Sequence, residues 1–276
     1  MLLSLCHALG LTTMAGGCSH LTLRAREFLS SASPYSLLPY YASLRNRPQT
    51  LEMVEVLKSG RTAGWGSYDP QEWARAMERP DFAAGFTAAM DCRGVHLGGA
   101  LARKVDLRDQ RSLLDVGGGS GIYACALVAH HPHLRAAVFE RPPVDRIARE
   151  AIAKRQSPVD VIPGDMFADE LPTGFDTLLI SNVLHDWDDA EVRVILKKAH
   201  AALPTGGMLI IHDAYLNAEK TGPLAVAQYS VLLMHSTQGK CYSLGEMRSY
   251  LNPLGFDWLD HQSTAADRSY ILARKL

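Results

Sequence analysis

The chain has 276 residues, with 28 Lys plus Arg against 29 Asp plus Glu and 47% hydrophobic residues. That composition supports a buried core and excludes a disordered polar tail, and a net charge of -1 gives no overall attraction to phosphate polymers. The five cysteines (Cys6, Cys18, Cys92, Cys125 and Cys241) are scattered, with no C-x-x-C pair and no tight Cys/His cluster. They predict neither a disulfide scaffold nor a metal site, and a reducing cytoplasm is their simplest home.

The opening MLLSLCHALGLTTMAGG is apolar but lacks a basic n-region, and His7 interrupts it. It reads as a packed helix ending near Gly10 or Gly16 rather than a leader, and no uncharged run elsewhere approaches a membrane span. Roughly the first hundred residues read as helical and irregular. Gly16 and Gly17 suggest a turn, Pro34 and Pro39 mark a connector, and LEMVEVLKSG is a helix closed by Gly60. Asp69 is placed to cap a helix with Pro70 at its first position, running through QEWARAMER. A further helical stretch covers FAAGFTAAMDCRGVHLGGALARKV.

From residue 111 the pattern becomes an alternation. SLLDV, AAVFE, VDVIPG, FDTLLISNVL and GGMLIIHDAYL read as strands, and IYACALVAHH, VDRIAREAIAK and DDAEVRVILKKAHAAL as the helices among them. A helical stretch begins near Pro223. SLGEMRSYLNPL follows as a helix with Ser243 as its cap and Glu246 at the capping-box spacing, before two closing strands, DWLDHQ and SYILARK. This order predicts an α/β, doubly wound, mostly parallel sheet of seven strands with helices on both faces, preceded by a smaller, mainly helical region.

The sharpest local signal is DVGGGSG at residues 115–121, after an apolar strand and opening a helix. Such glycines let a backbone turn tightly and approach a ligand. A dinucleotide fingerprint fails because its last glycine would fall at Ile122, and no G-K-[ST] follows to make a Walker loop. Glu140 ends the second strand, where an acid can accept hydrogen bonds from ribose hydroxyls; the alternative is an exposed charge paired with Arg141. Asp165 follows Gly164 at the third strand end, before Met166 and Phe167. It either binds the amino group of a base, with the apolar pair on the ring, or caps its own turn. Asp115, Glu140 and Asp165 together stand at three successive strand ends, the carboxyl edge where open sheets bind ligands.

DVGGGSG, FERPPV, GDMF, SNVLHDWDD and GGMLIIHD together resemble the successive motifs of the S-adenosylmethionine-dependent O-methyltransferases typified by plant caffeate and bacterial hydroxy-aromatic enzymes. The resemblance covers residues 111–276 well and extends more weakly towards the start. It implies a Rossmann-like methyltransferase core over residues 101–276 that binds S-adenosylmethionine, releases S-adenosylhomocysteine and needs no metal. Gly117 and Gly119 would cradle the methionine part, Glu140 and Arg141 would face the ribose, and Asp165 and Met166 would flank the adenine. Ser181 stands where relatives often carry a lysine. His185 would be the general base for a small aromatic or polyketide-like acceptor, and Asp213, better than its neighbour His212, would hold the imidazole. Asp186 either acts beside it or caps the next helix. A second carboxylate of the family is replaced by Cys241.

Phe86, Met90, Trp187, Tyr229, Leu233 and Met234 are candidates to line the acceptor pocket. Within residues 1–100, expected to form a helical dimerisation and substrate-lid region, HALGLTTMAGGCSHLTLRAREFL resembles only the last helix and wing of the family's winged-helix-like region, so a homodimer is expected, with no nucleic-acid or membrane partner. Either the chain is a short variant or its start lies inside a longer reading frame. C- or N-methylation on the same fold, and a non-catalytic cofactor-binding regulator, stand as alternative functions.

Overall fold

The computed structural model describes residues 1–61 and 76–276. The start of the helix expected from Asp69 and Pro70 lies outside the described residues.

The seven-stranded sheet has the order β5–β4–β3–β6–β7–β9–β8. Its strands are β3 (Ser112–Val116), β4 (Arg135–Glu140), β5 (Val159–Pro163), β6 (Thr177–Ser181), β7 (Met208–Asp213), β8 (Phe256–Ser263) and β9 (Ser269–Lys275). The first five run parallel, and β9 runs antiparallel to both β7 and β8. Every residue of β3, β6 and β7 is buried, as expected of strands covered by helices on both faces. Side chains alternate across the sheet. Leu114, Leu178 and Ile211 enter one core cluster, while Leu113, Leu179 and Ile210 enter the other. Strand order reverses between β3 and β6. The crevice at that switch point lies where a doubly wound sheet holds its ligand.

Ahead of the sheet come α1 (Leu2–Ala8), α2 (Leu23–Leu29), α3 (Leu38–Ala42), α4 (Pro48–Ser59) and α5 (Pro80–Lys104). A hairpin stands where the sequence suggests the Gly16–Gly17 turn and, by resemblance, a wing, although its strands are not read from the pattern. Strands β1 (Thr12–Ala15) and β2 (Cys18–Leu21) pair around the Gly16–Gly17 turn. Both are four residues long and almost wholly exposed, so they carry no apolar alternation to reveal them. Helix α5 runs 25 residues in spite of its glycines and packs along α6 (Ile122–His130). Residue 100 falls inside it, so one helix serves both the N-terminal region and the sheet.

The remaining helices are α7 (Val144–Lys154), α8 (Asp189–Ala202), α9 (Leu224–Ser236) and α10 (Leu244–Leu251). Ser243 and Glu246 form the expected capping box on α10. Helix α9 is sandwiched. Leu5 and Ala8 of α1 pack beside its Val226, Ala227 and Tyr229, and Glu52 of α4 meets His235 at 3.2 Å. No helix among the described residues is long and apolar enough to cross a membrane.

Candidate active site

A cavity of about 810 Å³ opens at the switch point. The glycine loop forms one wall. Gly117 and Gly119 have φ of +66° and +58°, a region that excludes most side chains. Glu140, at the end of β4, reaches back so that its Oε2 accepts the Gly119 amide at 2.9 Å, while Oε1 accepts its own neighbour's amide, Arg141, at 2.9 Å. Burial pushes the Glu140 carboxyl up to about 7, against the pull of those two amides. Arg141, Gly164, Asp165, Met166, Phe167 and Ser181 also line the cavity.

Two of the expected cofactor residues differ from their simplest reading. Asp115 does not line the cavity. It lies fully buried beneath the loop, where a Cβ on Gly118 would stand 2.6 Å from its carboxylate, and burial pushes its pKa up to about 7. The glycine loop folds over it and separates it from the cavity. Asp165 lines the cavity but also caps its own turn, accepting the Phe167 amide at 2.8 Å through Oδ1. Ser181 shares a hydrogen bond with His212 Nδ1 at 3.0 Å.

His185 sits in a single 3-10 turn, Leu184–Asp186, just past β6. Its Nδ1 lies 2.6 Å from Asp213 Oδ1, and both residues are 3% exposed. An ionised carboxylate only accepts, so Nδ1 carries the proton and Nε2 faces the cavity. Burial alone would lower the His185 pKa and raise that of Asp213. The attraction between them outweighs burial in both cases, with Asp186 adding to the rise at His185. His212 cannot replace Asp213, because alternation along β7 turns it to the other face, where it bonds Ser181 and Thr264. Burial lowers the His212 pKa to about 4, leaving a neutral ring.

Asp186 is not the cap of the next helix. Asp188 fills that place, accepting the Ala190 and Glu191 amides in a full capping box. Asp186 Oδ1 instead lies 3.6 Å from His185 Nε2. The turn that carries His185 is held from the later loop. Tyr242 donates its hydroxyl to the Trp187 carbonyl at 2.7 Å, and Gly239 packs so closely on the His185 carbonyl that no Cβ could stand there. Cys241 in that loop is buried, and burial pushes its thiol far up, so it brings neither charge nor thiolate to the site.

Phe86, Met90, Trp187, Tyr229 and Leu233 line the cavity, and Trp187 packs edge-on against Phe167 at 4.5 Å. Met234 does not. Helix α9 turns Tyr229, Leu232, Leu233 and Ser236 to the cavity at helical spacing, and Leu232 takes the place assigned to Met234. Several cavity residues escaped the sequence reading. Asp91 of α5 bonds the Ser120 hydroxyl and pairs with Arg155 at 2.7 Å, tying the glycine loop to the helix. Asn182 has φ of +53° and accepts from Arg268 at 2.9 Å, while its amide group donates to Tyr123 at 2.9 Å. Its αL backbone directly after a strand is typical of Asn but leaves no mark in a periodic pattern. Arg93 lines the cavity beside Tyr229.

A family model for the O-methyltransferase domain matches residues 55–257. The chain is 38% identical over 157 residues to a 3-hydroxy-5-methyl-1-naphthoate 3-O-methyltransferase of Streptomyces sahachiroi, covering 56% of this chain and 46% of that protein. It is 35% identical over 161 residues to an L-tyrosine C(3)-methyltransferase of Streptomyces lavendulae, covering 57% and 44%. The chain thus spans about half the length of these curated relatives. Among solved structures, an O-methyltransferase family 2 protein from Planctomyces limnophilus DSM 3776, in complex with apigenin, superposes with a TM-score of 0.89 at 35% identity, over all of this chain and 80% of that one. With the motif order, the switch-point cavity and this match in agreement, the chain belongs to the O-methyltransferase domain family.

Proposed function

We propose that the chain is an S-adenosylmethionine-dependent methyltransferase that methylates a hydroxyl of a small aromatic or polyketide-like acceptor, with His185 as general base. The observation that carries this reading is one shared cavity. Glu140 and the glycine loop stand at one end, and Nε2 of an Asp213-tethered imidazole stands at the other.

The residues present fit the cofactor. Glu140 offers carboxylate oxygens to ribose hydroxyls, and nothing lies within 4 Å of where a Cβ on Gly119 would be, so the loop backbone is open to a ligand. Met166 and Phe167 offer apolar faces to an adenine. When bound, S-adenosylmethionine supplies a methyl carbon carried on positively charged sulfur. The chain does the rest. Nε2 takes the acceptor's hydroxyl proton, leaving the oxygen its electron pair for the methyl carbon. Asp213 keeps the ring in the tautomer that can do so and stabilises the imidazolium that results. Phe86 and Trp187 wall the reacting end from water.

The raised His185 pKa sets a pH dependence. The neutral ring is the base, so kcat/KM is expected to rise with pH through a value above the ordinary histidine pKa. Asp213→Asn removes the larger upward pull. It is expected to move that acid limb to lower pH and to cut kcat by roughly a hundredfold or more. A pH–rate profile checks both, and an unmoved limb would remove Asp213 as the partner of the base.

The reading is tested by incubating a panel of hydroxyarenes with methyl-labelled S-adenosylmethionine and locating the label by mass spectrometry and NMR. Labelled methyl ethers are expected; intact cofactor binding with no labelled product overturns it. A second reading, C- or N-methylation, draws on Cys241 in place of a family acid and on the likeness to a C-methyltransferase. The same spectra separate the two by the position of the new methyl group.

We also propose a homodimer through the first sixty residues. Leu3, Leu23, Tyr35 and Tyr40 there are 58%, 81%, 64% and 71% exposed, an unusual concentration of apolar surface. Sedimentation equilibrium is expected to give twice the chain mass of 30.2 kDa. A monomer at micromolar concentration sinks this assignment.

A further inference from the structure

The acceptor end of the cavity holds a cation that the methyl-transfer reading does not use. Arg93 lines the cavity from α5 together with the apolar Met90 and, from α9, Leu232 and Leu233. Its guanidinium has two hydrogen-bond partners, the Tyr229 hydroxyl at 3.5 Å and the Met90 sulfur at 2.8 Å. Both are neutral, and a thioether is a weak acceptor. Among the described residues no carboxylate pairs with Arg93. Asp91, two residues earlier on the same helix, is committed to Arg155 and Ser120. A guanidinium half-withdrawn from water against apolar walls gains most from an anion, and its planar fork matches a carboxylate.

Its location decides which anion. The Tyr229 hydroxyl that Arg93 contacts lies 3.3 Å from His185 Nε2. The Tyr229 hydroxyl thus touches both base and cation, one hydrogen-bond contact from each. A ring whose hydroxyl reaches Nε2 turns its neighbouring substituents towards Tyr229 and Arg93. We infer that the acceptor is an anionic hydroxyarene, bearing a carboxylate one or two ring positions from the hydroxyl, and that Arg93 with Tyr229 selects it. This rests on the reading of the cavity as a methyl-transfer site. Asp213 holds the far nitrogen of the imidazole, whereas Asp186 stands 3.6 Å from Nε2 and within the field of Arg93, so the guanidinium is what offsets its repulsion of a bound anion. An adjacent carboxylate also tends to hold the hydroxyl proton in an internal hydrogen bond. Drawn to Arg93, it releases that proton towards Nε2.

The test compares acids with shape-matched neutral partners. Binding of 3-hydroxy-2-naphthoate and 3-hydroxybenzoate, and of their primary amides, is measured by calorimetry on the full chain saturated with S-adenosylhomocysteine. At least one acid is expected to bind about tenfold or more tighter than its amide, a preference that weakens with added salt. Arg93→Gln is expected to bring acid and amide within about twofold while leaving amide binding and S-adenosylhomocysteine binding near their original values. Arg93→Lys is expected to restore part of the preference. Amides that bind as well as both acids, or a preference that survives Arg93→Gln, overturns the inference. If the Gln variant fails to fold, the acid-to-amide ratio of the unaltered chain and its salt dependence decide alone. Failure of the underlying reading looks different, because acid preference would persist while no labelled methyl reaches any acceptor. Turnover of neutral acceptors without acid preference removes the anion site only.

Discussion

Replacing His185 with alanine is expected to slow methyl transfer by about a hundred- to ten-thousandfold, the usual contribution of a positioned general base. The dissociation constant for S-adenosylmethionine is expected to stay near its original value. The split follows from the geometry. His185 is tied to Asp213 at 2.6 Å at one part of the cavity, whereas the residues proposed to face the cofactor lie in the loop after β3, at the end of β4 and in the segment after β5. Single-turnover kinetics with labelled cofactor, alongside calorimetry, separates the two effects. An unchanged chemical step would assign the proton to another group. His185→Gln, which keeps a polar side chain in the turn, distinguishes loss of the base from collapse of the Leu184–Asp186 turn.

Glu140→Ala is expected to do the reverse. Two charge-assisted hydrogen bonds to ribose hydroxyls are worth about 1.5–3 kcal/mol each before losses, so cofactor affinity is expected to fall on the order of a hundredfold. The rate at saturating cofactor is expected to change much less. Glu140 has its carboxyl pushed up to about 7 in the free protein. The ionised form is the better acceptor, so binding favours it and releases a proton. Cofactor affinity is therefore expected to fall as pH drops through about 7. Glu140→Gln is expected to flatten that dependence, apart from any share carried by Asp115. Calorimetry in buffers of different ionisation heat measures the released proton. Unchanged affinity in the alanine variant removes Glu140 from the ribose.

Much of this site is legible in the sequence because a doubly wound sheet converts strand ends into neighbours. Glu140 and His185 are far apart in the chain, yet each closes an apolar run, and parallel strands bring such ends to one edge. Asp213 is legible for the same reason, and alternation along β7 excludes His212. What stays hidden depends on side-chain phase and depth. Asp115 and Glu140 look equivalent as strand-end acids, but the glycine loop folds over the first and leaves the second facing the cavity. Asp186 and Asp188 compete for one cap, and only the path of the intervening turn decides between them. Leu232 and Met234 are both apolar residues on one helix, separated by how α9 is rotated. Arg93 and Tyr229 are brought together across 136 positions by two helices with no fixed register between them, so no spacing rule could join them.

The placement of α9 has a consequence for how such chains diversify. Its Tyr229 reaches His185, while its Val226 and Ala227 pack with Leu5 and Ala8 of α1 and its His235 meets Glu52 of α4. On the proposed reading, the helix that brings Tyr229 to the acceptor is therefore backed by a segment outside the sheet. On the same reading, substitutions at Leu5 or Ala8 are expected to shift acceptor preference while leaving cofactor affinity near its original value, so preference for the recipient and retention of the donor can drift independently.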